Sequence, residues 1–182
     1  KRFNRLYRLV RQEQFLMLAR QRIAKNKGAN TPGVDGQVMS DITPKEIVRL
    51  SQELAAGTYQ HGPVRREYIP KRKGGLRPLG IPTSRDKVVQ AAAAMILEAL
   101  YEPLFRRSSH GFRPGRSPIT ALRQVSSAYR AGATWIIEGD IQDCFGSIPH
   151  GVILNCLRKR IKDEQFIDLV RKLLQAGVME KG

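Results

Sequence analysis

Two short β-forming runs, Val64 to Pro70 and Arg77 to Pro82, flank Lys73-Gly74-Gly75, and a strongly apolar stretch follows them almost at once. This order restricts the fold more than any other feature of the chain. The glycines supply a tight turn, so the two runs read as a hairpin with a basic tip. Thr83 and Asp86 then offer a capping box, and Val88-Val89 and Ala91 to Leu97 continue with hardly a polar position. Apolar all round, that segment is expected to be a buried central helix. A hairpin followed by a helix, with further helical patterns on either side, places the chain in the α+β class.

The flanking patterns are helical. From Arg2 to about Lys27, Phe3, Leu6, Leu9, Val10, Leu16, Met17 and Ile23 recur at helical spacing among many basic residues, giving one basic amphipathic helix or two. Thr31-Pro32-Gly33 and Asp35-Gly36 mark a loop. Thr43, Pro44 and Glu46 signal a helix start, Ile47, Leu50 and Leu54 form its inner face, and Gly57 ends it. His110 to Arg116 reads as a loop, and Ser117-Pro118 opens a helix through Ala131. Helices are expected again from Val152 to Ile161 and over Phe166 to Leu174.

Between them, Trp135-Ile136-Ile137 reads as a β-strand that delivers Asp140 at its end, with Phe145 five residues on. A carboxylate at a strand end can hold a hard divalent cation through oxygen. An aspartate in that position more often caps the next turn, and Phe145 alone is equally well a core aromatic. Lys71 and Arg77, six residues apart across the glycine turn, can form a cationic clamp for a triphosphate or simply a solvated basic edge. Phe112, Arg113 and Arg116 sit in a loop able to approach a nucleic-acid strand.

Thirty-two Lys and Arg against sixteen Asp and Glu give a net charge of +16. Such an excess repels itself in a compact chain, and a polyanion relieves it; nucleic acid is the first candidate. The basic residues are spread along the whole chain rather than gathered on one helix, which argues against a membrane surface. Two cysteines make neither a disulfide framework nor a zinc site, and no apolar run reaches the roughly 18 residues of a membrane span. A reducing compartment is the expected setting, without secretion.

Taken together, Tyr68-Ile69-Pro70-Lys71, Gly75-Leu76-Arg77-Pro78-Leu79-Gly80-Ile81-Pro82 and Asp140-Ile141 with Phe145 resemble the reverse transcriptases encoded by group II introns, the intron maturases. The resemblance runs from about Thr31 to about Ile153. It implies the fingers and the first part of the palm of a right-hand polymerase, preceded by a basic N-terminal helical extension. The divisions are 1–36 for the extension and loop, 37–133 for fingers and 134–182 for partial palm. It further implies that Asp140 is catalytic and binds metal together with the Ile141 carbonyl, the ion being Mg²⁺ with Mn²⁺ as the alternative. Lys71, Arg77 and Phe145 would bind the nucleotide. Ile81, Phe112, Arg113 and Arg116 would meet template RNA. Implied partners are intron RNA, an RNA template with a DNA primer, and deoxynucleotides, with no membrane; a homodimer is left open.

The chain stops at Gly182, before the position expected for the family's second catalytic carboxylate motif, so synthesis by these 182 residues alone is not expected. Two other readings stand beside this one: a non-enzymatic RNA-binding splicing factor on a polymerase scaffold, and another bacterial retroelement polymerase.

Overall fold

The computed structural model describes residues 2–71 and 74–180. In chain order its elements are α1 (Leu6–Val10), α2 (Glu13–Ala24), α3 (Pro44–Ala56), β1 (Val64–Pro70), β2 (Leu76–Ile81) and α4 (Ser84–Tyr101). They are followed by α5 (Pro118–Arg130), the single turn α6 (Cys144–Ser147), α7 (His150–Arg158), α8 (Glu164–Leu174) and β3 (Val178–Met179). Two compact units result: Lys1–Ile96 with Pro149–Gly182, and Leu97–Ile148.

The first unit has a helical core. Val10, Leu16, Leu50, Leu54, Val88, Val89, Phe166 and Ile167 are all buried in it. At about 1.5–3 kcal/mol for each large apolar side chain removed from water, this cluster is the unit's main stabilising force. The basic N-terminal pattern does form two helices, because Gln12 is extended between them. Backbone bonds then tie this segment to α7 and α8. Phe3 N–H donates to the Arg160 carbonyl, and Lys162 N–H donates to that of Phe3, both at 2.7 Å. Tyr7 N–H donates to Asp163 Oδ2 at 2.9 Å, while Asp163 Oδ1 caps α8 by accepting from Phe166 N–H.

Helix α3 starts as its signals require, with Pro44 in the first turn and Thr43 Oγ1 accepting from Glu46 N–H at 3.4 Å. It closes on Gly57, whose φ of 74° suits glycine. The hairpin is also as expected, and it belongs to a three-stranded sheet in the order β2-β1-β3. Strand β3 lies parallel to β1, with Val64 opposite Val178, an addition that a two-residue strand gives the sequence no means to announce.

Two expectations fail. Helix α4 is not buried all round: Val88, Val89, Ala92, Ala93 and Ile96 are inside, but Ala94 is exposed. A methyl side chain has too little area for its exposure to cost much, so alanines blur the line between one buried face and several. The Trp135 strand is absent as well. Residues 133–141 are neither helix nor strand, and Trp135, Ile136 and Ile137 are exposed. A strand exists through its ladder, and this run finds no ladder partner among the described residues. No helix among those residues is long and apolar enough to cross a membrane.

Candidate functional site

The hairpin brings the expected cations together by register. Ile69 lies opposite Arg77, and Arg65 opposite Ile81. Beyond the end of β1, Lys71 N–H donates to the Gly75 carbonyl at 3.0 Å and Gly74 N–H donates to that of Lys71 at 3.1 Å. Directly opposed residues share a face of a sheet, as do residues two apart on one strand. Lys71, Arg77, Leu79 and Ile81 therefore lie on one face, and Lys71 and Arg77 are diagonal neighbours on it. Gly74 and Gly75, at φ 88° and 81°, make the turn in a region open to glycine. Lys73, the other residue of the expected turn, lies outside the described residues, as does Arg72. Lys71 and Arg77 are exposed at the far end, whereas Ile81 is buried at the root.

That root is held by a carboxylate which the sequence marks only as a helix cap. Asp86 is 3% exposed and accepts three hydrogen bonds: from Tyr59 Oη at 2.6 Å, Thr83 Oγ1 at 2.7 Å and Gly62 N–H at 3.0 Å. Gly62 precedes β1 and Thr83 follows β2, so one side chain ties both feet of the hairpin to the start of α4. Burial, and then the neighbouring Asp86 charge, push the Tyr59 phenol far above its ordinary range.

The preceding loop is fastened to the same root. A Cβ on Gly33 would sit 2.7 Å from Thr83 Cα and 2.8 Å from the Pro82 carbonyl oxygen, so only glycine fits. Arg65 donates to the Pro32 carbonyl from Nε and Nη2, at 3.1 and 2.9 Å. Lys87 Nζ donates to the carbonyls of Thr31 and Gly28, and burial there draws its ammonium below the usual range. Asp35 accepts from Gln37 N–H and so holds the loop's own backbone.

In the second unit the loop before α5 is braced by Arg113. Its guanidinium binds Glu102 through Nε and Nη2, the latter at 2.7 Å, and donates from Nη1 to the carbonyls of Ser109 and Arg106. It also lies 5.1 Å from the centre of the Phe105 ring. With its side chain only 8% exposed, Arg113 is committed to the loop itself. These hydrogen bonds, with a smaller contribution from the Arg116 charge, hold the Glu102 carboxyl below the usual range. His110 bonds to Thr120 and Gln124 across the start of α5. The loop presents Phe112 fully exposed at φ 56°, a backbone region that a bulky residue rarely enters. The expected helix cap is present: Ser117 and Thr120 bond reciprocally.

Asp140 and Ile141 are exposed in the unpaired run, and Phe145 projects from α6 at 88% exposure, outside any core of the described residues. Asp143 enters α6 at φ 45°, with its carboxylate against Gly146, where a Cβ would collide with it. The donors available to a cation, the Asp140 carboxylate and the Ile141 carbonyl, are hard oxygens of the kind Mg²⁺ takes. Two oxygens alone would make only part of a coordination shell. Among the described residues no three acidic, histidine or cysteine side chains gather to complete one.

Residues 69–182 match a family described as reverse transcriptase (RNA-dependent DNA polymerase). The chain is 42% identical over 179 residues to the group II intron-encoded protein LtrA of Lactococcus lactis subsp. cremoris, covering 98% of this chain and 30% of that protein. It is 37% identical over 177 residues to a putative COX1/OXI3 intron 2 protein of Saccharomyces cerevisiae, covering 97% of this chain and 21% of the other. Nuclear intron maturase 1, mitochondrial, of Arabidopsis thaliana is 38% identical over 94 residues, which are 52% of this chain and 13% of the relative. The chain thus spans less than a third of each of these relatives' length.

Proposed function

Because the chain belongs to the reverse transcriptase family, we propose that the whole protein is a group II intron reverse transcriptase that copies RNA into DNA and binds its own intron RNA as a maturase. The observation that carries this reading is the shared face of Lys71 and Arg77 at the end of a hairpin whose root is fixed. Two cations in that arrangement suit the phosphates of an incoming deoxynucleotide, and Arg77 can bind two oxygens at once. Ile81, at the root of the same face, packs beneath the templating base.

The other assigned groups belong to the second unit, each argued on its own chemistry. Asp140 and the Ile141 carbonyl would hold Mg²⁺, with Mn²⁺ as the alternative, as two oxygens of a larger ligand set. When bound, the divalent ions stabilise charge on the attacking and leaving oxygens of nucleotidyl transfer. Phe145 is free to lie beneath the sugar and exclude a 2′-hydroxyl. Phe112 and Arg116 meet the template strand, while Arg113 acts on it through the loop that it braces. The partners are intron RNA, an RNA template with a DNA primer, and deoxynucleotides, in a bacterial cytoplasm or an organelle.

The test is kinetic. In the full-length protein, Lys71→Ala and Arg77→Ala should each raise the nucleotide KM and lower the incorporation rate, with RNA affinity nearly unchanged, because the contacts belong to the nucleotide and strengthen as charge develops on pyrophosphate. Parallel losses of RNA binding and nucleotide use would make the hairpin a general basic surface instead.

A further inference from the structure

A second cationic site lies in the first unit, on elements that contribute nothing to the hairpin face. A cavity of about 350 Å³ is lined by Arg2, Asn155, Arg158, Lys159, Lys162 and Glu164 over a floor of Ile161. Four of the polar lining groups are cations. The one acid, Glu164, is engaged by Arg158, which donates to it from Nη2 at 3.0 Å and also from Nε. Arg2, Lys159 and Lys162 have no acidic partner among the described residues.

The backbone beneath these side chains is fixed before any ligand arrives. Two 2.7 Å backbone bonds pair Phe3 in parallel with Ile161 and so fix the chain that carries Arg2 against the segment that carries Lys162. Ile161 is 1% exposed and anchors the turn that carries both lysines. Backbone bonds also stiffen the turn from inside: the carbonyl of Arg160 accepts from Phe3 N–H, and that of Leu157 accepts from the N–H groups of Arg160 and Ile161. Asn155, exposed on α7, adds an amide that both donates and accepts.

We propose that this cavity is an anchoring site for the phosphodiester backbone of RNA, separate from the nucleotide-gripping face of the hairpin. Unpaired cations on a fixed backbone suit successive phosphates, which position a nucleic acid without reading its sequence. The amide of Asn155 suits a ribose 2′-hydroxyl, the group that distinguishes RNA from DNA. The inference rests on the RNA-binding part of the proposed function and locates one site for it.

The experiment uses the full-length protein carrying Lys159→Glu with Lys162→Glu, beside a charge-matched control, Lys45→Glu with Arg130→Glu. Affinity for a structured RNA and for a DNA of the same sequence is measured at several salt concentrations. The site variant should lose about tenfold or more in RNA affinity, and its salt dependence should become shallower by about 1.5 in log–log slope, as expected for two lost phosphate contacts. The control should lose much less, and the nucleotide KM of both variants should stay near that of the parent. A separate Asn155→Leu variant should narrow the preference for RNA over DNA. If the site variant and the control weaken RNA binding equally, the charge acts only in bulk and the anchoring site is refuted, while the proposed function stands. If the parent protein itself fails to bind RNA, the proposed function falls with it. An unchanged RNA-to-DNA ratio in Asn155→Leu would overturn the ribose contact. Variants that keep their RNA affinity but lose binding to anionic lipid vesicles would assign the cavity to a membrane surface instead.

Discussion

Replacing Asp86 with alanine should loosen the root of the hairpin and destabilise the first unit together. The carboxylate accepts from Tyr59, Thr83 and Gly62 at 2.6, 2.7 and 3.0 Å, and all three donors lose their acceptor at once. A hydrogen bond to a charged group contributes about 1.5–3 kcal/mol, but three on one acceptor are not additive, and removing the carboxylate also removes the cost of burying its charge. The Tyr59 hydroxyl is left in a nearly dry site, since the residue is only 5% exposed. We expect a net loss of about 3 kcal/mol, which for a chain of this size lowers Tm by about 6–12 °C. Urea titration followed by the far-ultraviolet signal measures the first quantity, and a thermal scan the second. Hydrogen exchange at the Gly62 amide should rise more than exchange within α8, because Gly62 loses its partner directly. Adding Tyr59→Phe to the alanine variant should recover part of the loss, because the stranded hydroxyl is then gone. A loss below about 1 kcal/mol, or no recovery in the double variant, would refute the reasoning and make Asp86 an ordinary helix cap.

Two further perturbations follow from the same region. Tyr59 keeps its proton in the folded chain, its folded pKa lying above the unfolded value of 10.0, so its contribution is fully present below pH 10 and is lost as pH rises toward the folded value; stability measured by urea titration from pH 9 to 11 should fall at the alkaline end, and fall less in Tyr59→Phe. Gly33→Ala puts a methyl against backbone atoms that cannot swing aside and should cost about 1–3 kcal/mol in thermal unfolding, whereas Gly28→Ala, with open space around it, should cost far less.

How much of this was legible in the sequence varied with the range of the interaction. Capping and turn residues act on their immediate neighbours, so Thr43, Pro44, Gly57, the Gly74-Gly75 turn and Ser117 were read correctly from sequence alone. Strand pairing is not local. Trp135 to Ile137 has the composition of a strand but no ladder partner among the described residues, whereas Val178-Met179 has little composition to offer yet pairs with β1. In the candidate site, alternation along β1 and β2 was enough to put Lys71 and Arg77 on one face once the register was known. Arg113 was legible as a cation near a loop, but its commitment to Glu102 and two carbonyls depends on how residues 102–113 fold back on themselves. Asp86 was visible as a cap and hidden as a clamp, because Tyr59 and Gly62 reach it from more than twenty residues away.

The most direct test of the central claim is primer extension by the full-length protein with Asp140→Asn. The substitution preserves size and most hydrogen-bonding geometry while removing the charge assigned to metal binding. Asp140 is exposed and belongs to no packed element, so folding and intron-RNA affinity should be unchanged when measured alongside. We expect extension to collapse, by at least about a thousandfold if the carboxylate is a metal ligand in the transition state, with RNA-dependent splicing assistance retained. Undiminished extension by Asp140→Asn would contradict the assignment of the site and the mechanism built on it.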